Sequence, residues 1–193
     1  MTTTADVSAT AGVPVPEDWV TGTWEIDPAH SVVSFAVRHL MSRVRGTFSE
    51  VSGQIVTSPD PSGSTASAVI AVPSVSTGHQ MRDDHLRSAD FFDAERYPSM
   101  TFASKGLRPA AGAWVMSGEL TIRDVTRPVD LDVEFLGADP TGLQGEPRIG
   151  FSAQGVISRR DFGITFGLAA DGSKIVVADK VSIVLDVEAF LAA

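Results

Sequence analysis

Residues 26–53 read IDPAHSVVSFAVRHLMSRVRGTFSEVSG, and the middle of this stretch decides the fold. Within SVVSFAVRH, Val33, Phe35, Val37 and His39 fall on one side, while Ser34, Ala36 and Arg38 fall on the other. A period of two is a β-strand, because successive side chains leave a pleated backbone on opposite faces. One oily face and one polar face predict an antiparallel sheet with a single side turned to an apolar interior. A strand covered on both sides would read as a continuous apolar run.

Upstream, Trp24 and Ile26 alternate with Glu25 and Asp27 in a short strand from Thr23, and Asp27-Pro28 turns the chain. Downstream the pattern breaks at 40–43. Residues 45–58 then form a third strand, with Gly46 and Gly53 at bends. PDPSG at 59–63 is a loop, and TASAVIAVPSV at 65–75 is another β-rich run that closes at Pro73. Residues 78–92, GHQMRDDHLRSADFF, are the one region of helical character. Met81, Leu86 and Ala89 stand at i, i+5 and i+8, which supports a short helix or irregular crossover and no more.

Strand resumes at 100–103 after Tyr97-Pro98, and two more follow at 114–123 and 129–136. In the latter, Val129, Leu131, Val133 and Phe135 oppose Asp130, Asp132 and Glu134. Residues 148–163 add a strand with Gly150 and Gly155 as bends. Residues 175–190 add a final pair in which Val181, Ile183, Leu185 and Val187 lie across the pleat from Ser182 and Asp186. About eight strands with frequent turns and little helix make the chain all-β, a sandwich or an antiparallel barrel. A barrel removes the edges that a sandwich must protect, but alternation is the same in both.

A chain of 193 residues is long enough to bury a substantial core without disulfides, and it has no cysteine. That excludes thiolate catalysis and thiolate metal sites. The formal charge of -9 argues against nucleic acid and against anionic membrane surfaces as partners. Residues 1–18, MTTTADVSATAGVPVPED, hold neither Lys nor Arg nor an apolar run; they read as a disordered arm rather than a leader. With no apolar window of about 18 to 20 residues, stable membrane insertion is not expected. The expected location is the cytoplasm.

Four motifs in order then point to a family: IDPAHSVVSFAVRHL with Gly46 and Phe48 behind it, residues 76–104 (STGHQMRDDHLRSADFFDAERYPSMTFAS), GELTIRDVTRPVDL at 118–131, and ISRRDFG at 157–163. The chain from Trp24 onward resembles the YceI-like family. The resemblance implies a lipocalin-like antiparallel eight-stranded β-barrel, here spanning 19–193, with one short helix or crossover around 78–92 and an elongated internal cavity. Characterised relatives carry a polyisoprenoid or another long amphipathic lipid there. Two features depart from the family: many relatives carry a leader, and the glycine that usually precedes Val-Thr in the central motif is Asp124 here.

The inward parity nominates Val33, Phe35, Val37, His39, Phe48, Ile70, Phe102, Leu120, Ile122, Leu131, Val133, Phe135, Phe151, Ile183 and Leu185 as ligand-binding wall residues. Hydrophobicity alone also fits a filled core. Arg38 and Arg160 are the head-group candidates; Arg159 and Arg160 alternate along a strand, so one of the two can face the lumen. The expected partner is a polyisoprenoid or isoprenoid-quinone-like lipid, bound, stored or transported without covalent chemistry, cofactor or metal. A homodimer through the outer sheet surface or loops is left open.

The competing reading is a lipocalin-like barrel enzyme, a hydrolase or isomerase, using His39 or the carboxylate-rich region of His79 and His85. Those two histidines are six apart and do not share a helical face as an i, i+4 pair does. Asp27-His30-Ser31 looks like a catalytic cluster, yet sequence neighbours rarely reach triad geometry, and Asp27 fits better as a turn cap. G-x-S-x-G, P-loop and H-E-x-x-H motifs are all missing.

Overall fold

A computed structural model describes residues 13–110, 113–142, 145–167 and 176–192. Its eleven strands form one sheet that closes on itself, and they join into eight staves. β1 (Gly22–Ile26) and β2 (Val32–His39) are halves of the first stave. β3 (Ser42–Phe48) with β4 (Val51–Thr57), and β5 (Thr65–Ala71) with the short β6 (Val75–Ser76), make the next two. β7 (Ser99–Ala110), β8 (Ala113–Ile122), β9 (Val125–Asp139), β10 (Arg148–Ser158) and β11 (Val177–Leu191) complete the ring. All neighbours are antiparallel and consecutive, an up-and-down meander. β11 closes it by pairing with both halves of the first stave, Ile26 opposite Ala189 and Phe35 opposite Ile183. The single edge problem of a sheet is removed in this way.

The first stave bends where Asp27-Pro28 interrupts it without releasing it. The Asp27 carboxylate accepts the Ala29 amide at 2.9 Å, and the Asp27 amide donates to Glu188 O at 2.8 Å. The third strand expected at 45–58 is likewise split at Ser49-Glu50. The final pair expected at 175–190 is instead one strand, β11, whose register with β2 slips between Val177 and Val181. That slip absorbs Asp179-Lys180 without a turn. At Asp124 no glycine is required: in the β8–β9 turn the positive φ, 59°, falls on Arg123. The helix α1 (Gln80–Arg87) lies within the 78–92 crossover and covers one mouth of the barrel.

The opposite end is packed solid. Trp24, 1% exposed, donates its indole N–H to Thr57 Oγ1 at 2.8 Å and packs in the core with Ile26, Ile55, Ile149 and Ala189. Trp19, just outside the barrel strands, lies edge-on to Phe135 (5.2 Å) and Phe151 (6.1 Å) and donates to Ser58 O. Asp18 accepts the Ala138 amide at 3.1 Å, so the last residues of the expected arm are tied to this end; residues 1–12 lie outside the described residues. Among the described residues no helix is long and apolar enough to cross a membrane.

Candidate functional site

Between the packed end and α1 the barrel holds a cavity of about 140 Å³. Inward side chains from most staves make the wall: Val33, Phe35 and Val37 from β2, Phe48 from β3, Ile70 from β5, Phe102 from β7. Leu120, Ile122, Leu131, Ile183 and Leu185 complete the ring. Leu86, Phe91 and Phe92, from α1 and the turn after it, close the mouth. Among the described residues no polar atom faces the void. A cavity of this kind stays dry and takes an apolar guest, since a water inside would find no partners.

Four residues nominated from parity are not among those lining the cavity. Phe135 and Phe151 pack on each other, tilted, at 5.2 Å against Trp19, and Val133 sits beside Trp114 at a shallower pocket. His39 ends β2 at the rim, paired with Ser42 and Val177; its ring makes no hydrogen bond among the described residues. The nomination missed several lining residues, among them Met100, Ile157 and Ile164 from the barrel and the mouth aromatics Phe91 and Phe92. Phe91-Phe92 is an apolar pair in an otherwise polar segment with no period, and that pair was the available signal.

Two glycines keep the void open. A β-carbon at Gly46 would lie 2.4 Å from Phe35 Cζ, and one at Gly118 would lie 2.4 Å from Phe102 Cζ and 2.8 Å from Ala103 O. Each glycine therefore leaves room for the outer edge of a wall aromatic ring, which an added methyl would displace. Gly118→Ala is expected to push the Phe102 ring into the cavity and lower stability by about 1–3 kcal/mol in urea unfolding.

Of the Arg159-Arg160 pair, Arg159 is the one against the lumen, because the segment Arg159–Phe162 winds as a 3-10 turn rather than continuing as strand. Arg159 is 5% exposed and its guanidinium donates to three carbonyls: Ala178 O at 2.8 Å, Val177 O at 2.7 Å and Ile164 O at 3.1 Å. Burial pulls its pKa down from the ordinary arginine value, while the nearby Asp179 works the other way. It splices the turn to β11 and shows the void only its carbon stem. Arg160 is exposed, and Arg38 is exposed with its Nε bonded to Leu40 O at 3.0 Å.

The family model of the YceI-like domain matches residues 24–189, nearly the whole barrel. The chain belongs to the YceI-like family. Protein YceI of Escherichia coli O157:H7 is 35% identical over 150 residues, covering 76% of this chain and 77% of that protein. A UPF0312 protein of Pectobacterium atrosepticum is 34% identical over 155 residues, covering 77% and 79%. Among solved structures, BcnA of Burkholderia cenocepacia superposes with a TM-score of 0.71 at 28% identity, covering 84% of this chain and 98% of that one. A polyisoprenoid binding domain from Saccharophagus degradans, implicated in plant cell wall breakdown, shares the fold with a TM-score of 0.66 at 17% identity, covering 90% and 100%.

In this YceI-like barrel the reactive-looking side chains lie outside the cavity. Ser31 Oγ donates to Glu188 O and accepts the Glu188 amide, so it is spent on backbone. His30 Nδ1 pairs with Asp27 at 2.8 Å. Asp27, His30 and Glu188 bring ligand atoms within 4.8 Å of one another, but the Arg148 guanidinium already bonds both carboxylates. His30 first, then Arg148, holds the Asp27 carboxyl at a pKa of about 2, against an ordinary 3.8. His85 pairs with Asp90 at 2.9 Å and lies edge-on to Phe91 and Phe166, while His79 is exposed at the start of α1.

Proposed function

We propose that the barrel binds a polyisoprenoid, or a comparably long apolar lipid, by taking its tail into the cavity, and does no covalent chemistry on it. The observation that carries this reading is a void inside a closed barrel onto which, among the described residues, only carbon atoms open. A fold relative, the domain from Saccharophagus degradans, is a polyisoprenoid binding domain, which supports the same ligand class. Held reversibly and unreacted, such a lipid would be stored or transported.

Size sets the terms. A void of about 140 Å³ compares with the engineered cavity of ~150 Å³ that accepts benzene, so as it stands it takes roughly one isoprene unit. At up to ~0.8 kcal/mol per buried carbon, one unit contributes about 4 kcal/mol. Association alone costs about that much or more. Useful affinity therefore requires several units, with Leu86, Phe91 and Phe92 moving aside as the tail enters.

Gently purified protein is expected to release one apolar compound per barrel into organic solvent, identified by mass spectrometry. The emptied barrel is expected to bind farnesol, geranylgeraniol and longer polyprenyl alcohols with affinity that rises with length. No compound recovered and no binding across the series would overturn the proposal. A prenyl chain returned cleaved or rearranged would move the reading to the barrel enzyme.

A further inference from the structure

The β2–β3 hairpin departs from what its own stability favours in three ways. Its two-residue turn is Leu40-Met41, with Leu40 at φ 50°, a backbone position that glycine or asparagine fills at less strain. Met41 is 99% exposed and Leu40 41%. On the outer face Arg38 stands directly opposite Arg43, with Arg45 one pair further along, and like charges opposed across a ladder are destabilising. Among the described residues none of these arginines has a carboxylate partner. Residues 28–49 contain no Asp or Glu, in a chain with 24 acidic residues.

This hairpin tip stands at the mouth of the cavity. Leu40 N–H donates to Val176 O at 3.0 Å, next to the wall residue Val177. Val176 N–H in turn donates to Gly167 O at 3.0 Å, and the neighbouring Phe166, 42% exposed, packs on the mouth aromatic Phe91 at 5.1 Å. An exposed apolar tip flanked by cations is the surface chemistry of a protein that rests on anionic lipid.

We propose that this rim docks the barrel, mouth down, on an anionic lipid bilayer. Leu40, Met41 and Phe166 enter the acyl boundary, and Arg38, Arg43 and Arg45 meet the headgroup phosphates. The overall charge of -9 does not oppose this at contact, because salt screens charges beyond about 8–10 Å and leaves the hairpin's own field in command. The docking is independent of what fills the cavity, so vesicle binding and recovered lipid are separate measurements.

The full chain is expected to sediment with mixed phosphatidylcholine–phosphatidylglycerol vesicles at about 0.1 M salt and to leave vesicles of phosphatidylcholine alone in the pellet without it. Each arginine removed should weaken partitioning about fivefold, so R38Q/R43Q together should lose about 25-fold. Met41→Asp should lose at least as much, and Met41→Ser less. All these side chains point to water, so melting temperatures should hold or, where the opposed arginines are removed, rise slightly. Equal binding to both vesicle types, no binding to either, or variants that bind like the parent would overturn the proposal. So would a solution dimer in which Met41 is buried, which would make the hairpin a contact between copies.

Discussion

Replacing Phe35 with aspartate is expected to empty the barrel. Phe35 lines the void, tilts against Phe48 at 5.6 Å and rests on Gly46. Its loss removes wall contacts along the tail, and a carboxylate facing a space with no polar partner must either stay hydrated or take up a proton. Water drawn in with it competes with the tail for the same volume. Recovered lipid should fall more than a hundredfold, and stability by about 3 kcal/mol, the size of a large core truncation. Phe35→Leu keeps the wall apolar and should retain most of both.

The informative comparison is Phe135→Asp. By alternation Phe35 and Phe135 look alike, but Phe135 is covered by Trp19 and Phe151 at the packed end. That variant should be destabilised to a similar degree while a folded barrel still carries lipid. A folded Phe35→Asp protein with undiminished lipid would place the tail outside this cavity.

Arg148→Met is expected to lower stability at neutral pH, read as an earlier midpoint in urea unfolding. Arg148 is the shared cation of Asp27, Glu146 and Glu188, with contacts of 2.7 Å to Asp27 and 2.6 Å to Glu146. Without it three carboxylates crowd a site in which the Asp27 side chain is 10% exposed. Removing the cation leaves the buried member of the group, Asp27, with His30 as its remaining ion-pair partner among the described residues.

The pH dependence has a definite sign. Asp27 has a folded pKa of about 2 against 3.8, so it binds its proton less readily when folded. Its contribution, about 2 kcal/mol, is present in full above the ordinary value and disappears as pH falls towards 2. Urea titrations between pH 5 and pH 2 should show this loss in the parent. In Arg148→Met the slope should be shallower but not gone, because His30 still donates to the carboxylate. An unchanged slope in the variant would assign the acid sensitivity to other groups.

Hairpin docking and lipid capture would serve one another. A tail leaving a bilayer has to cross water unless the opening is against the membrane, and the exposed apolar tip adjoins the wall at Val177. The strain at Leu40 and the opposed arginines are the kind of local inconsistency that stable folds avoid except where a surface has work to do.

Alternation in residues 26–53 and in the later strands determined by itself that the chain is all-β, antiparallel and oily on one side, because which face a strand residue takes is settled by its own backbone. The YceI-like motifs carried the further step to a closed barrel. Tertiary structure alone decided how far along each inward face the cavity runs. Phe35 and Phe135 have the same parity, and what separates them is Trp19, a residue far away in the chain that fills one end. The same holds for Arg159 over Arg160, where a 3-10 turn breaks the alternation, and for Phe91-Phe92, brought over the mouth by a segment with no period. Parity is a local property of the backbone; a void is the absence of a neighbour, and neighbours are chosen by the whole fold.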